Sequence, residues 1–279
     1  MAGPLSLLPS ALLPLARVDD RTSDLPVTLA LCSGLRSLWG GCGLGAAVLA
    51  AERTSGRPTR WATVQYLRPI HPGQVLRLSV AGRDGRTLSQ AQVTGTVDGA
   101  PVLAGLAALG GDGDNDLQFV RPPDDVPPPE DCAPRTMPLR VDPAGTFLAR
   151  FEQRWAQAPR AGREDGVRGT GRTRVWARLL EPCAVDRPAL AMLADLAPSA
   201  ISEALGEHAG GVSLDNTVRY ARTSDVDPGG WVLIDLTVEA VVADVAQLTA
   251  RLFDTGGTLL AVAEQSAVVR RRAEPRTAG

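Results

Sequence analysis

Thr63-Val64-Gln65-Tyr66-Leu67-Arg68 returns as Thr217-Val218-Arg219-Tyr220-Ala221-Arg222, with four identities at one offset of 154 residues. Pro72-Gly73 is answered by Pro228-Gly229, Thr94 by Thr249, and Val102-Leu103-Ala104 by Leu259-Leu260-Ala261, the offset drifting only to 157. Each match alone is within reach of chance in an Ala/Leu/Val-rich chain; their collinearity predicts two copies of one unit. Solenoid repeats recur every ~20–50 residues, so this much longer period predicts a duplicated domain. Two domains of ordinary size fit a chain of 279 residues. Diverged copies also bear on function, because positions that differ in chemistry point to the site.

Composition excludes several classes. Charged residues make up 22% and hydrophobic residues 44%, as in globular proteins. All 29 basic residues are arginine, which removes lysine-based nucleophiles and Schiff bases. A net charge of −2 offers no footprint for nucleic acid. Cys32, Cys42, Cys132 and Cys183 show no CxxC spacing, and only His71 and His208 could join them, so neither a metal site nor a disulfide framework is expected. That pattern favours a cytoplasmic setting. Residues 1–17 are apolar but lack a basic leader and carry Pro4, Pro9 and Pro14, so they read as an arm and not as a signal peptide. No apolar run reaches the ~18 residues a membrane span needs.

The chain divides at a Gly/Pro/Asp-rich stretch. Residues 1–110 form a first unit, 111–142 a linker containing Pro122-Pro123-Asp124-Asp125 and Pro127-Pro128-Pro129, and 143–279 a second unit. In the first unit, Trp39-Gly40-Gly41-Cys42-Gly43 opens an Ala-rich helix whose small residues let other backbone approach, with Gly56 as its stop. Four strand-like runs follow, joined by Asp84-Gly85 and Asp98-Gly99 turns. The second unit opens with strands near Phe147–Trp155 and Arg172–Leu180. A helix over Ala189–Leu205 and four more strands follow. Each copy is thus a long apolar helix beside an antiparallel meander, an α+β arrangement in which the sheet wraps the helix.

At the offset of 154, Asp215 meets Trp61; at 157, Gln265 meets Ala108. Both polar residues sit in apolar strand-like runs, and a buried carboxylate is costly unless hydrogen-bonded or functional. The alternative is a surface-facing strand position.

Several stretches resemble the double-hotdog acyl-CoA thioesterases of the thioesterase II group. Trp39-Gly40-Gly41 resembles the family's aromatic-Gly-Gly approach to the central helix, Tyr66-Leu67-Arg68-Pro69 its Tyr-Phe-Leu-Arg-Pro strand, and Arg83-Asp84-Gly85-Arg86-Thr87 its Arg-Asp-Gly-x-Ser turn. Ser213-Leu214-Asp215-Asn216 resembles its Leu/Ile-Asp-His strand. Trp231-Val232-Leu233 resembles its Trp-Leu-Leu, and Asp254 through Ala261 with Gln265 its closing strand. The resemblance implies a tandem hotdog, two antiparallel sheets each wrapping a long central helix. It also implies hydrolysis of an acyl-CoA or acyl-carrier-protein thioester without a cofactor or metal.

The family's catalytic Asp, Gln and Ser/Thr carry over to Asp215 and Gln265, while the hydroxyl position falls on Glu239; Thr237, two residues earlier, is the available substitute. Asp215 would take a proton from water, Gln265 would hold that water, and Glu239, if inward, would form a second carboxylate. Backbone N–H groups around Gly41, Cys42 and Gly43, or near Asp195, would receive the oxyanion or bind substrate, as helix N-termini do. Asp195 is a rival carboxylate; as a helix-start acid it is also explained by the helix dipole. Arg68, Arg83, Arg86, Arg219 and Arg222 are candidates for coenzyme A phosphates or plain surface charges. A dehydratase, hydratase or acyl-transfer hotdog acting on carrier-bound intermediates, or a non-catalytic acyl-binding protein, are the competing functions. Pairing of sheet edges would give a homo-oligomer.

Overall fold

The computed structural model describes residues 12–111, 119–135, 143–157, 169–181, 183–206, 209–221, 226–227 and 229–271. His208, Arg222 and Pro228, residues 1–11 of the arm and both ends of the linker lie outside the described residues.

The first half holds β1 (Ala16–Arg17), β2 (Thr22–Pro26), α1 (Gly40–Ser55), β3 (Thr59–Tyr66), β4 (Val75–Asp84), β5 (Ser89–Val97) and β6 (Ala100–Leu109). The second holds β7 (Phe151–Gln157), β8 (Arg172–Leu179), α2 (Arg187–Ala194), α3 (Ile201–Leu205), β9 (Ala209–Ser213), β10 (Asp215–Tyr220), β11 (Val232–Val242), β12 (Val245–Phe253) and β13 (Leu259–Arg271).

Two separate sheets were expected. The strands instead form one continuous antiparallel sheet, in the order β1-β2-β4-β5-β6-β3-β10-β13-β12-β11-β8-β7, with β9 on β13. The fusion occurs where β3 pairs with β10. Thr63 lies opposite Thr217, Gln65 opposite Asp215 and Trp61 opposite Arg219. The offset of 154 exchanges the last two pairs and maps the first onto itself, so a pseudo-twofold axis passes between the two threonines.

α1 is buried from Gly41 to Ala51 and stops at Gly56, whose φ of 67° only glycine adopts readily and whose N–H bonds Glu52 O. Glycine earns its place on the face toward α2. A Cβ at Gly41 would lie 2.7 Å from Met192 Cα, and one at Gly45 would lie 3.0 Å from Pro188 O. The second helix is broken where one helix was expected. α2 ends at Asp195, a 3-10 turn spans Ala197–Ala200, and α3 follows. Pro198 accounts for the break: it has no N–H to continue the helical ladder and disfavours helical backbone before it.

Residues 119–135 run across the outer face of the second half. Trp176 Nε1 donates to Pro127 O at 2.9 Å, and Val126 and Cys132 pack with Trp176, Leu233 and Phe253. Asp235, only 4% exposed on that face, is held by Arg172, which also pairs with Asp124. The linker stretch therefore has apolar anchors that its composition did not suggest. Among the described residues no helix is long and apolar enough to cross a membrane.

Candidate active site

A cavity of about 520 Å³ opens between the two halves, bordered by Gly40, Gly43 and Tyr66 from the first and by Asp195, Ser199 and Ser213 from the second. Asp195 is its chemical centre. The break that ends α2 leaves this carboxylate pointing toward α1, where Oδ2 accepts the Gly41 N–H at 2.8 Å. Oδ1 accepts Gln265 Nε2 at 2.6 Å and Asn216 Nδ2 at 3.3 Å, with Ser213 Oγ at 3.5 Å. Gln265 Nε2 also donates to Ser213 Oγ at 2.6 Å. Burial pushes the Asp195 carboxyl up to about 6, against the lowering pull of these four donors, Gly41 first. Tyr66 Oη donates to Gly40 O at 2.7 Å, and burial holds its phenol well above the ordinary range.

Local strand geometry decides which residue of Ser213-Leu214-Asp215-Asn216 faces inward. Ser213 lies opposite Ala267 and Thr217 opposite Glu264, so four steps on one strand span three on the other. The extra residue, Leu214, is a bulge, and it reverses the alternation beyond it. Ser213 and Asn216 both face the core, while Asp215 turns to the outer face and accepts the Ser266 N–H at 2.6 Å. The first copy carries the matching irregularity between Thr59 and Trp61.

The expected set therefore divides. Gln265, Asp195 and the Gly40–Gly43 helix start come together; Asp215, Thr237 and Glu239 do not join them. Glu239 sits at a register shift in β11, is exposed, and takes a hydrogen bond from Thr249 Oγ1 at 2.7 Å. Thr237 lies opposite Thr249 and Arg172, on the same outward side as Asp235. The Gly41 N–H is occupied by Asp195, and the Cys42 and Gly43 N–H groups bond Trp39 O, so none of these three donors is open to an oxyanion. Cys42 is wholly buried, which raises its thiol pKa well above the ordinary value, and only Gly43 of the three borders the cavity. Of the arginines, Arg68 and the unexpected Arg270 stand at the cavity; Arg219 pairs with Glu264 on the outer face. Ser213 was passed over, although it heads the motif that drew attention to Asp215; the Gly210-Gly211 pair before it and the parity change after it hid its direction.

Sheet register also corrects the alignment of the copies. Thr63 faces Leu106 as Thr217 faces Glu264, so the counterpart of Gln265 is the buried Ala107 and not Ala108. Asn216 corresponds to Ala62 and Ser213 to Thr59. Tyr66 Oη bonds the carbonyl of Gly40, first in α1, and Tyr220 Oη that of Arg187, first in α2, at 2.8 Å. Counted from these helix starts, Asp195 corresponds to Val48. One copy holds Asp195, Ser213, Asn216 and Gln265; the other holds Val48, Thr59, Ala62 and Ala107.

The acyl-CoA thioesterase N-terminal domain family matches residues 31–110, and the acyl-CoA thioesterase C-terminal domain family matches residues 129–269. The chain belongs to this acyl-CoA thioesterase family. A candidate thioesterase of Novosphingobium aromaticivorans is 32% identical, with 91% of this chain and 97% of that one covered, at a TM-score of 0.82. An acyl-CoA thioesterase II of Mycobacterium marinum shares the fold at 20% identity, covering 95% and 99%, with a TM-score of 0.74. A candidate thioesterase II of Thermobifida fusca does so at 20% identity, covering 95% and 98%, with a TM-score of 0.81. No curated protein matches the sequence.

Proposed function

We propose that the protein hydrolyses acyl-CoA thioesters at one site, with Asp195 as general base and Gln265 and Ser213 as its positioning partners. The observation that carries this reading is the buried Asp195 carboxylate, hydrogen-bonded to Gln265 and bordering the cavity. The cavity falls within the ~300–1,000 Å³ usual for small-molecule sites.

Thioester hydrolysis asks for little chemistry beyond a placed water and a receiver for the oxyanion. The leaving thiol, with a pKa of ~8.5, departs without a strong acid. A water in the cavity beside Asp195 loses its proton to the carboxylate as its oxygen adds to the thioester carbon. The oxyanion then lies against the Gly40 N–H at the start of α1, where helix N–H groups lack intrahelical partners. Collapse expels the thiolate, which takes the proton from Asp195. Gln265 and Ser213 keep the carboxylate facing the cavity, and Arg68 and Arg270 supply positive charge for the phosphates of coenzyme A.

The test is release of free thiol from a panel running from acetyl-CoA to palmitoyl-CoA. Turnover on part of the panel is expected; a folded protein that releases thiol from none of them is no acyl-CoA thioesterase.

A further inference from the structure

The pseudo-twofold axis relates the open cavity to an equivalent place on the other side of the β3–β10 junction. Two small residues bordering the open cavity are Gly40, at the start of α1, and Ser199, twelve residues beyond the start of α2. The counterpart of Gly40, matched through the two tyrosine bonds to the helix starts, is Arg187, and the same residue count carried past the break after Ala194 sets Glu52 against Ser199. These two long side chains meet in the mirrored place. Arg187 Nε lies 3.9 Å from Glu52 Oε1, and both side chains are largely buried. The Arg187 guanidinium lies 5.9 Å from the ring centre of Tyr220, the counterpart of Tyr66. Glu52 Oε1 accepts the N–H of Thr59, the counterpart of Ser213, at 2.7 Å.

The counterparts of the polar set around Asp195 lack its chemistry, and Asp186, which stands where the open side has Trp39, caps α2 by accepting the Ala189 N–H at 2.9 Å. Val48 replaces Asp195, Ala107 replaces Gln265 and Ala62 replaces Asn216, all buried. Pro188 replaces Gly41 and has no N–H to offer a carboxylate. A buried ion pair of this kind is a poor source of stability, because desolvating both charges offsets most of their attraction. A simple core position would be better filled by apolar side chains.

We propose that the chain retains a second acyl-chain cleft, closed by the Arg187–Glu52 pair, and that removing the pair opens a site that binds an acyl-CoA without hydrolysing it. The inference rests on the reading of the open cavity as the acyl-CoA site. It also states what the duplication achieved: one half-site kept its space and its carboxylate, and the other lost both.

The test exchanges the plug for the residues of the open side, Arg187→Gly with Glu52→Ser, which removes one charge of each sign. Binding of S-octyl-CoA, a thioether that cannot be hydrolysed, is measured by titration calorimetry alongside thiol release from octanoyl-CoA. Wild type should bind one equivalent and the double variant two, with thiol release per chain unchanged. One equivalent on a folded double variant would overturn the closed cleft and leave the thioesterase reading standing. A wild type that turns over octanoyl-CoA nowhere and binds no thioether would remove the reading beneath it, and the cleft with it. If the double variant does not fold, Arg187→Ala with Glu52→Ala shortens both side chains while favouring helix more than Gly and Ser do, and carries the same expectation. Failure of both to fold would make the pair part of the core and overturn the proposal.

Discussion

Thr63 Oγ1 and Thr217 Oγ1 lie 2.7 Å apart across the junction of β3 and β10, and they are the same residue of the two copies. This self-paired contact marks the axis of the duplication. Everything that separates the halves chemically can be read as a departure from it, and the largest departure is the polar set around Asp195.

Gln265 and Ser213 hold the Asp195 carboxylate. Gln265→Ala removes its shortest side-chain donor and leaves Ser213 Oγ without that partner. Thiol release should fall ~10²-fold, in the range that loss of one positioned polar group produces. Ser213→Ala, whose own bond to Asp195 is long at 3.5 Å, should cost less, about 10-fold. Steady-state kcat/KM of the two variants checks the order; equal or reversed losses would move the positioning role to Ser213.

The pH dependence follows from the burial of Asp195. Only the ionised carboxylate can accept the water's proton, and its pKa is raised to about 6. As pH falls through that value the base is lost, so kcat/KM should rise with pH to a plateau, half-maximal near the same point. An acid limb centred near 4, the ordinary carboxylate range of ~3.9–4.3, would mean a solvated base and would count against Asp195.

Gly41 joins the two helices more closely than any side chain allows. Gly41→Ala would place its Cβ 2.7 Å from the Met192 backbone and 2.9 Å from Asp195 Cβ. Overpacking of this kind costs ~1–3 kcal/mol. Chemical denaturation should show that loss, together with reduced thiol release as the Gly41 N–H leaves Asp195.

Glu239, by contrast, lies exposed on the outer face. Glu239→Thr should leave thiol release unchanged and stability within about 0.5 kcal/mol, as surface substitutions do. A gain or collapse of activity would bring β11 back into the site.

The repeat, the small-residue helix with its Gly56 stop, the Asp-Gly turns and the main strand-like runs along the chain were all legible, because each rests on local pattern. Asp98 and Gly99, with φ of 50° and 78°, form the turn their types suggest. The β3–β10 junction was not legible: Thr63 and Thr217 mark equivalent positions in sequence, but nothing in either strand says that the equivalents pair. Gln265 could be found because it follows regular alternation. Asp215 misled because one bulged residue, Leu214, reverses that alternation just before it. Asp195 was legible as a rival carboxylate, but its direction was not: Pro198 signals a break in the helix without saying that the carboxylate before it meets the Gly41 N–H of the other copy. The anchoring of residues 119–135 on the outer face of the second half was hidden by composition, in which Val126 and Cys132 are sparse among prolines and acids.

The central claim is that the base is Asp195 and not Asp215. Thiol release from octanoyl-CoA by wild type, Asp195→Asn and Asp215→Asn tests it most directly. The structure predicts that Asp195→Asn loses ~10²–10⁴-fold in kcat, the usual weight of a general base. Asp215→Asn, whose carboxylate accepts the Ser266 N–H on the outer face, should lose no more than about tenfold, through its effect on the bulge. The reverse order, with Asp215→Asn inactive and Asp195→Asn active, would contradict the account.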